Sequence, residues 1–173
     1  MSDLVQTPSQ TVGPFFHFAL DYSGGSTLVP DSHPAAVRLH GTVYDGAGTG
    51  IPDAMIELWQ TDDAGSISSE SGSLERNSRA FSGFGRAVTN LAGEYSFTTV
   101  RPGAPFATLA VFARGLGHHL FARVYFDDVA DALLEALTPE RRATLLAVAD
   151  AHRSFRFDIR LQGEGETVFL EYS

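Results

Sequence analysis

The sequence predicts a mainly β protein, a β-sandwich with an extended N-terminal arm and one helical insertion. Three observations predict it. Phe155, Phe157, Ile159 and Leu161 alternate with Arg156, Asp158, Arg160 and Gln162, the two-residue period of a half-buried strand. About eight short apolar runs, separated by turn residues, recur along the chain at the near-regular spacing of a sandwich. The composition, 43% hydrophobic and 19% charged with 13 Phe and 17 Gly, suits a turn-rich β protein with a core to bury. No internal repeat and no second domain is legible. Residues 1–173 read as one domain, with an arm over 1–20, sandwich strands over 36–127 and 155–172, and a helical insertion over 129–151.

Taken in order, residues 1–20 hold Pro8, Gly13 and Pro14 among aromatic and polar residues, which breaks helical and strand periods alike and predicts an extended arm. Its tail, Phe15-Phe16-His17-Phe18, is too apolar for water and must lie against its own domain or a partner. Residues 21–35 are loop by composition. Val37, Leu39 and Val43 alternate with Arg38, His40 and Thr42 in a strand over Ala36–Tyr44 that ends in the turn Asp45–Gly48. Ala54–Thr61 is the next strand, and Trp59, the only tryptophan, is expected in the core. The Ser-rich stretch 66–85 has no period and is long for a loop in a compact domain, the mark of a functional or mobile loop. Arg86–Asn90 and Tyr95–Val100 read as a hairpin about Leu91–Glu94. Val129–Leu137 and Pro139–Ala151 carry helical spacing, with Thr138 as cap and Pro139 at the first helical position. Phe155–Leu161 returns as a strand, Gly163–Glu166 turns it, and Thr167–Tyr172 is the last strand.

The centre of the chain is Phe106–Asp128, two strands joined at Gly115-Leu116-Gly117. Phe106, Thr108, Ala110, Phe112 and Arg114 share one face of the first strand; Ala107, Leu109, Val111 and Ala113 share the other. Both faces are mostly apolar, so the strand is expected to be covered on both sides and Arg114 to point into a covered or semi-covered place. An enclosed guanidinium needs an anion. Two readings stand side by side: a structural ion pair with a carboxylate of the same chain, or a grip on the carboxylate of a substrate.

The formal net charge of −9 argues against non-specific binding to nucleic acid or to an anionic membrane, both of which need basic patches. There is no cysteine, hence no disulfide and no thiolate metal site. No basic leader followed by an apolar run opens the chain, and no segment approaches a membrane span; a cytoplasmic protein is expected. The six histidines include no HExxH pair, and the adjacent His118 and His119 would point to opposite faces of a strand, so they read as loop or surface residues. No G-x-S-x-G elbow is present, Gly83-Phe84-Gly85 precedes a strand rather than a helix, and Glu164 and Glu166 flank a glycine in a solvated turn.

Several blocks carry a resemblance. They are TPSQTVGPFFHFAL at 7–20, GTVYDGAGTGIPDAMIELWQTDDAG at 41–65, AGEYSFTTVRPG at 92–103, VFARGLGHHLFARVYFDD at 111–128 and FRFDIRLQGEGETVFLEY at 155–172. Together they resemble the α subunits of protocatechuate 3,4-dioxygenases, within the intradiol ring-cleaving dioxygenase family, over nearly the whole chain. The resemblance implies a β-sandwich of the intradiol dioxygenase type and a ferric ion, Fe(3+), held by two tyrosines and an H-x-H pair of the homologous β subunit. It implies no catalytic and no metal-ligating residue in this chain. Ala104 and Pro105 follow Pro102-Gly103 where metal-binding relatives carry a tyrosine, and the two histidine positions fall on Phe106 and Thr108. An apolar ring cannot ligate iron, and a threonine hydroxyl is a poor substitute.

The resemblance further implies that Arg114 and the arm residues Thr11, Gly13 and Pro14 reach the β subunit's active site, shaping the pocket and holding the substrate carboxylate. The implied reaction is intradiol cleavage of 3,4-dihydroxybenzoate by O2 to 3-carboxy-cis,cis-muconate, in an obligate hetero-oligomer with the β subunit. Phe15 stands where the family arm usually carries tyrosine, and the chain is shorter than expected before residue 36 and between Gly103 and Phe106. The competing reading is a non-catalytic β-sandwich module for binding or scaffolding that keeps the fold only.

Overall fold

The structure, a computed structural model, describes residues 7–13, 15–69 and 80–171. Two sheets face each other. One is five-stranded, with β4 (Glu94–Val100), β1 (Ala36–Tyr44), β8 (Ser154–Arg156) and β7 (Val148–Ala151) in that order and β9 (Ile159–Arg160) also on β1. The other is four-stranded, in the order β3 (Phe84–Val88), β2 (Met55–Trp59), β5 (Ala107–Phe112) and β6 (Leu120–Val124). Leu39, Val43 and Phe97 from the first sheet meet Ile56, Leu58, Leu109 and Val111 from the second in one buried core. Period-two alternation gives each strand its inner face, and burial of that face is the main stabilising term.

The predicted strand pair at the centre is present as β5 and β6, antiparallel, with residues 113–119 as the connection. The hairpin expected at 86–100 is not a hairpin. Its turn forms, with Asn90 donating to the Glu94 carbonyl at 3.0 Å, but β3 pairs with β2 while β4 pairs with β1, so the chain crosses between sheets there. The Phe155–Leu161 strand is broken into β8 and β9. Gly41 sits opposite the break, and a Cβ on it would lie 1.9 Å from the Phe157 carbonyl oxygen. The polar groups freed by the break are satisfied: the Thr42 amide donates to Asp158 at 3.0 Å, and the buried Tyr95 hydroxyl donates to the Phe157 carbonyl at 2.6 Å.

The insertion is less helical than expected. α2 (Ala132–Ala136) and α3 (Pro139–Ala143) are single turns, capped by Asp131 and Thr138, whereas Val148–Ala151 extends as β7 along β8. Backbone pairing to a neighbouring strand outweighs the weak helical preference of VADA. The segment after Thr167 forms no strand among the described residues; it touches β6 through a single bridge, Leu170 donating to the Phe121 carbonyl at 2.8 Å. The arm is also not wholly extended, because Phe16–Leu20 is a short helix, α1.

Candidate functional site

The β2–β5 pair is the frame of the site. Met55 faces Phe112, Glu57 faces Ala110 and Trp59 faces Thr108 across it. Leu58, Ile56, Leu109 and Val111 turn inward and are fully buried; the opposite face carries Glu57, Trp59, Thr108 and Phe112, covered by the arm at one end and open at the other. The Phe16 ring lies 5.5 Å from the Phe112 ring, and Arg86 of β3 donates to the Leu20 carbonyl at 2.9 Å while paired with Glu57 at 2.6 Å. Both members of that pair are 16% exposed, so it is a part-buried structural pair that anchors the arm to the sheet.

Beyond the far end of β5, Arg114 forms an ion pair through Nε with Asp53, the residue that stands two places before β2. The expectation of an enclosed guanidinium is corrected here. The Arg114 side chain is 55% exposed and its carboxylate partner only 10% exposed, because β5 ends at Phe112 and Arg114 stands in the connection beyond it. Thr11 comes to the same place, its Oγ1 accepting from the Gly115 amide at 2.8 Å. Gly115 has a φ of 93°, which only glycine adopts without strain, and this turns the chain immediately after Arg114. Gly13 lies exposed at the turn into α1, its carbonyl accepting from Phe16 at 3.1 Å, and Pro14 falls outside the described residues. His119 is held between Phe112, at 5.3 Å, and Phe121, at 4.6 Å; His118 and His119 are exposed on the loop before β6, beside Gln10 and Val12 of the arm.

At the near end of β5, Ala104, Phe106 and Thr108 line one cavity of about 540 Å³ together with Trp59, Gln60 and Phe84. Trp59 is 52% exposed, its ring 4.4 Å from that of Phe84, so it is a cavity wall rather than the core residue expected. The donors here do not suit a ferric ion. Among the described residues the cavity presents hydroxyls and one amide, and that amide is engaged by Thr99 at 2.8 Å and by the Val100 carbonyl at 2.8 Å. A hard trivalent cation needs anionic oxygen or imidazole nitrogen. Behind Phe106 sits a positive charge instead, with the Arg123 guanidinium 3.9 Å from the ring centroid. Among the described residues no group of three or more His, Asp, Glu or Cys side chains converges.

Arg123 is part of a network that fixes this wall. Tyr125, fully buried, donates to Asp131 at 2.9 Å, and Asp131 also accepts from Leu133 at 2.9 Å as the cap of α2. Burial pushes the Tyr125 hydroxyl up. Burial works against the Asp131 carboxylate too, but hydrogen bonds from Tyr125, Leu133 and Leu134 and the charge of Arg123 outweigh it and hold the carboxyl below its usual range.

The sequence does not single out Asp53, which stands between the Asp45–Gly48 turn and the strand expected from Ala54. The signal that finds it is the pairing register: carried two residues past Met55 and Phe112, it sets Asp53 opposite Arg114.

A family model described as Dioxygenase matches residues 12–109. The chain is 40% identical to the protocatechuate 3,4-dioxygenase alpha chain of Pseudomonas putida, with 98% of each chain covered. It is 28% identical to the protocatechuate 3,4-dioxygenase beta chain of Burkholderia cepacia, over 88% of this chain and 70% of that one. The dioxygenase domain of a dioxygenase carbohydrate-binding protein fusion from Streptomyces sp. SirexAA-E superposes with a TM-score of 0.60 at 21% identity, covering 91% of this chain and 99% of that one, which speaks to the fold alone.

Proposed function

This chain belongs to the intradiol ring-cleaving dioxygenases and is an enzyme subunit resembling protocatechuate 3,4-dioxygenase alpha chains, and on that premise we propose that it completes, rather than contains, the catalytic site of a hetero-oligomer. Its partner is a homologous β subunit that holds the Fe(3+), and the pair cleaves 3,4-dihydroxybenzoate with O2 to 3-carboxy-cis,cis-muconate. The observation that carries this reading is the cavity at Ala104, Phe106 and Thr108, whose side chains offer a ferric ion neither phenolate nor imidazole. Iron chemistry then has to come from another chain.

What this chain supplies is recognition. Arg114 presents an exposed planar cation beyond the end of an interior strand, matched to a carboxylate on a flat ring. Thr11 pins the arm to the residue after Arg114, so arm and arginine form one surface. Gly13 belongs to the same arm and shapes the pocket wall there, a role that extends to Pro14, which lies outside the described residues. Phe15 and Phe18 are 76% and 72% exposed, apolar area that an interface with the partner would cover.

Co-expression with an intact β subunit tests the reading. The expected result is a stable complex with iron in proportion to the β chain and ring-cleaving activity, while the chain alone holds no iron and turns nothing over. Stoichiometric iron bound by the chain alone, or turnover without a companion, would overturn it. Failure to associate would return the chain to the class of sandwich modules that keep only the fold.

A further inference from the structure

We propose that Asp53 is a positioning residue: it holds Arg114 by its Nε edge so that the two terminal nitrogens of the guanidinium are presented to the carboxylate of an aromatic acid. The inference rests on the reading of Arg114 given above and adds the residue that sets its geometry.

Three observations carry it. The β2–β5 register places the two residues directly opposite each other, just past the last paired positions, Met55 and Phe112. A long side chain at that place has many rotamers, and a fixed partner across the ladder selects one. Second, the exposures are unequal. Asp53, at 10%, is the anchored member, and Arg114, at 55%, is the presented one. Third, the backbone on both sides of Asp53 is tied to one buried side chain: the Thr89 hydroxyl donates to the Ile51 carbonyl at 2.6 Å and accepts from the Ala54 amide at 2.9 Å. Thr89 itself is 5% exposed, so the acid stands on a fixed platform. Across from it, Thr11 holds the Gly115 amide, so Arg114 is braced from both directions.

With the cation half in solvent the pair adds little to folding, so its effect lies in where it leaves that cation. With Nε engaged by Asp53, the Nη pair keeps the parallel N–H geometry that a planar carboxylate accepts. No second ion pair from the Arg114 guanidinium occurs among the described residues. Asp53 also lowers the net positive charge that a substrate meets, an effect of opposite sign. Alignment outweighs it, because misplacement of a reacting or binding group is costly out of proportion to the distance.

The test uses the assembled complex with its β subunit and two substrates: protocatechuate, and catechol, which has the same diol ring without a carboxylate. Asp53→Asn should raise KM for protocatechuate about tenfold with kcat changed less than about twofold and KM for catechol unmoved. Asp53→Glu should recover part of the loss. In an Arg114→Ala background, Asp53→Asn should add nothing, since the two act as a unit. Unchanged or lowered KM for protocatechuate in Asp53→Asn would overturn the proposal, as would an equal rise for both substrates. If Asp53→Asn does not assemble, Asp53→Ser takes its place with the same criteria. The two layers fail differently: an Arg114→Ala complex with normal KM removes the reading of Arg114 and this proposal together, whereas a raised KM there with none in Asp53→Asn removes the proposal alone.

Discussion

The two ends of β5 have met opposite chemical fates on the same rigid frame. At its start, Ala104, Phe106 and Thr108 line a cavity that has no anionic donor among the described residues, backed by the Arg123, Tyr125 and Asp131 network. At its end, Arg114 stands half in solvent beside Asp53, with the arm bonded to the next residue. The β2–β5 ladder is continuous between them and its inner face is fully buried. On the function proposed above, chemistry is lost at one end of the sheet and kept at the other, because each end depends on the loops beyond it rather than on the strands.

Arg114→Ala in the assembled complex should have the largest effect. Removing the charged partner of a substrate carboxylate costs about 2–5 kcal/mol, a rise in KM of roughly 30-fold or more, with assembly and iron content unchanged. Steady-state kinetics and metal analysis check it together; normal KM would mean that the far end is as silent as the near one. Phe106→Ala should do the reverse. It removes a half-buried ring tilted against Tyr125 at 5.6 Å, at a cost of about 2 kcal/mol in denaturant unfolding, and leaves KM within error. A change in KM without loss of stability would show that the cavity still takes part in binding. Thr11→Val, which loses the bond to the Gly115 amide, should cost about 1 kcal/mol and raise KM severalfold.

The smallest expected effect is an acid-limited one at the near end. Asp131 has its carboxyl held below the usual range, so it contributes stability that is present above its unfolded value and lost as pH falls through the folded one. Urea midpoints should therefore drop below about pH 4 in the parent chain. Asp131→Asn should be less stable at neutral pH and show a flatter acid limb. An identical limb in both would remove Asp131 from that titration.

The sequence made the strands legible where pattern alone decides, as in Ala36–Tyr44 and the β5–β6 pair. It misled where a decision is made at long range. The turn at Leu91–Glu94 is correct in its chemistry, but turn residues do not say which sheet the next strand joins. VADA at 148–151 reads as helix and becomes β7 because β8 lies beside it. Trp59 was assigned to the core from its type, yet it faces the cavity at the open end of β2. The place of Thr11 beside the arginine turn could be expected only from resemblance, since nothing local in the arm points to a contact more than a hundred residues away. Asp53 escaped notice for the same reason, its partner being defined by a pairing that one strand alone does not reveal.

The antiparallel pairing of β2 with β5 also limits how this polypeptide can change length. Deleting one residue inside β5 would rotate everything after it by half a turn and drive Arg114 toward the oily interior while Ala113 came out to water. Losing residues from the connections before Ala36 or before Phe106 carries no such reversal. Descendants of this gene should accordingly vary freely in loop length and hardly at all in the count of residues separating Thr108 from Arg114.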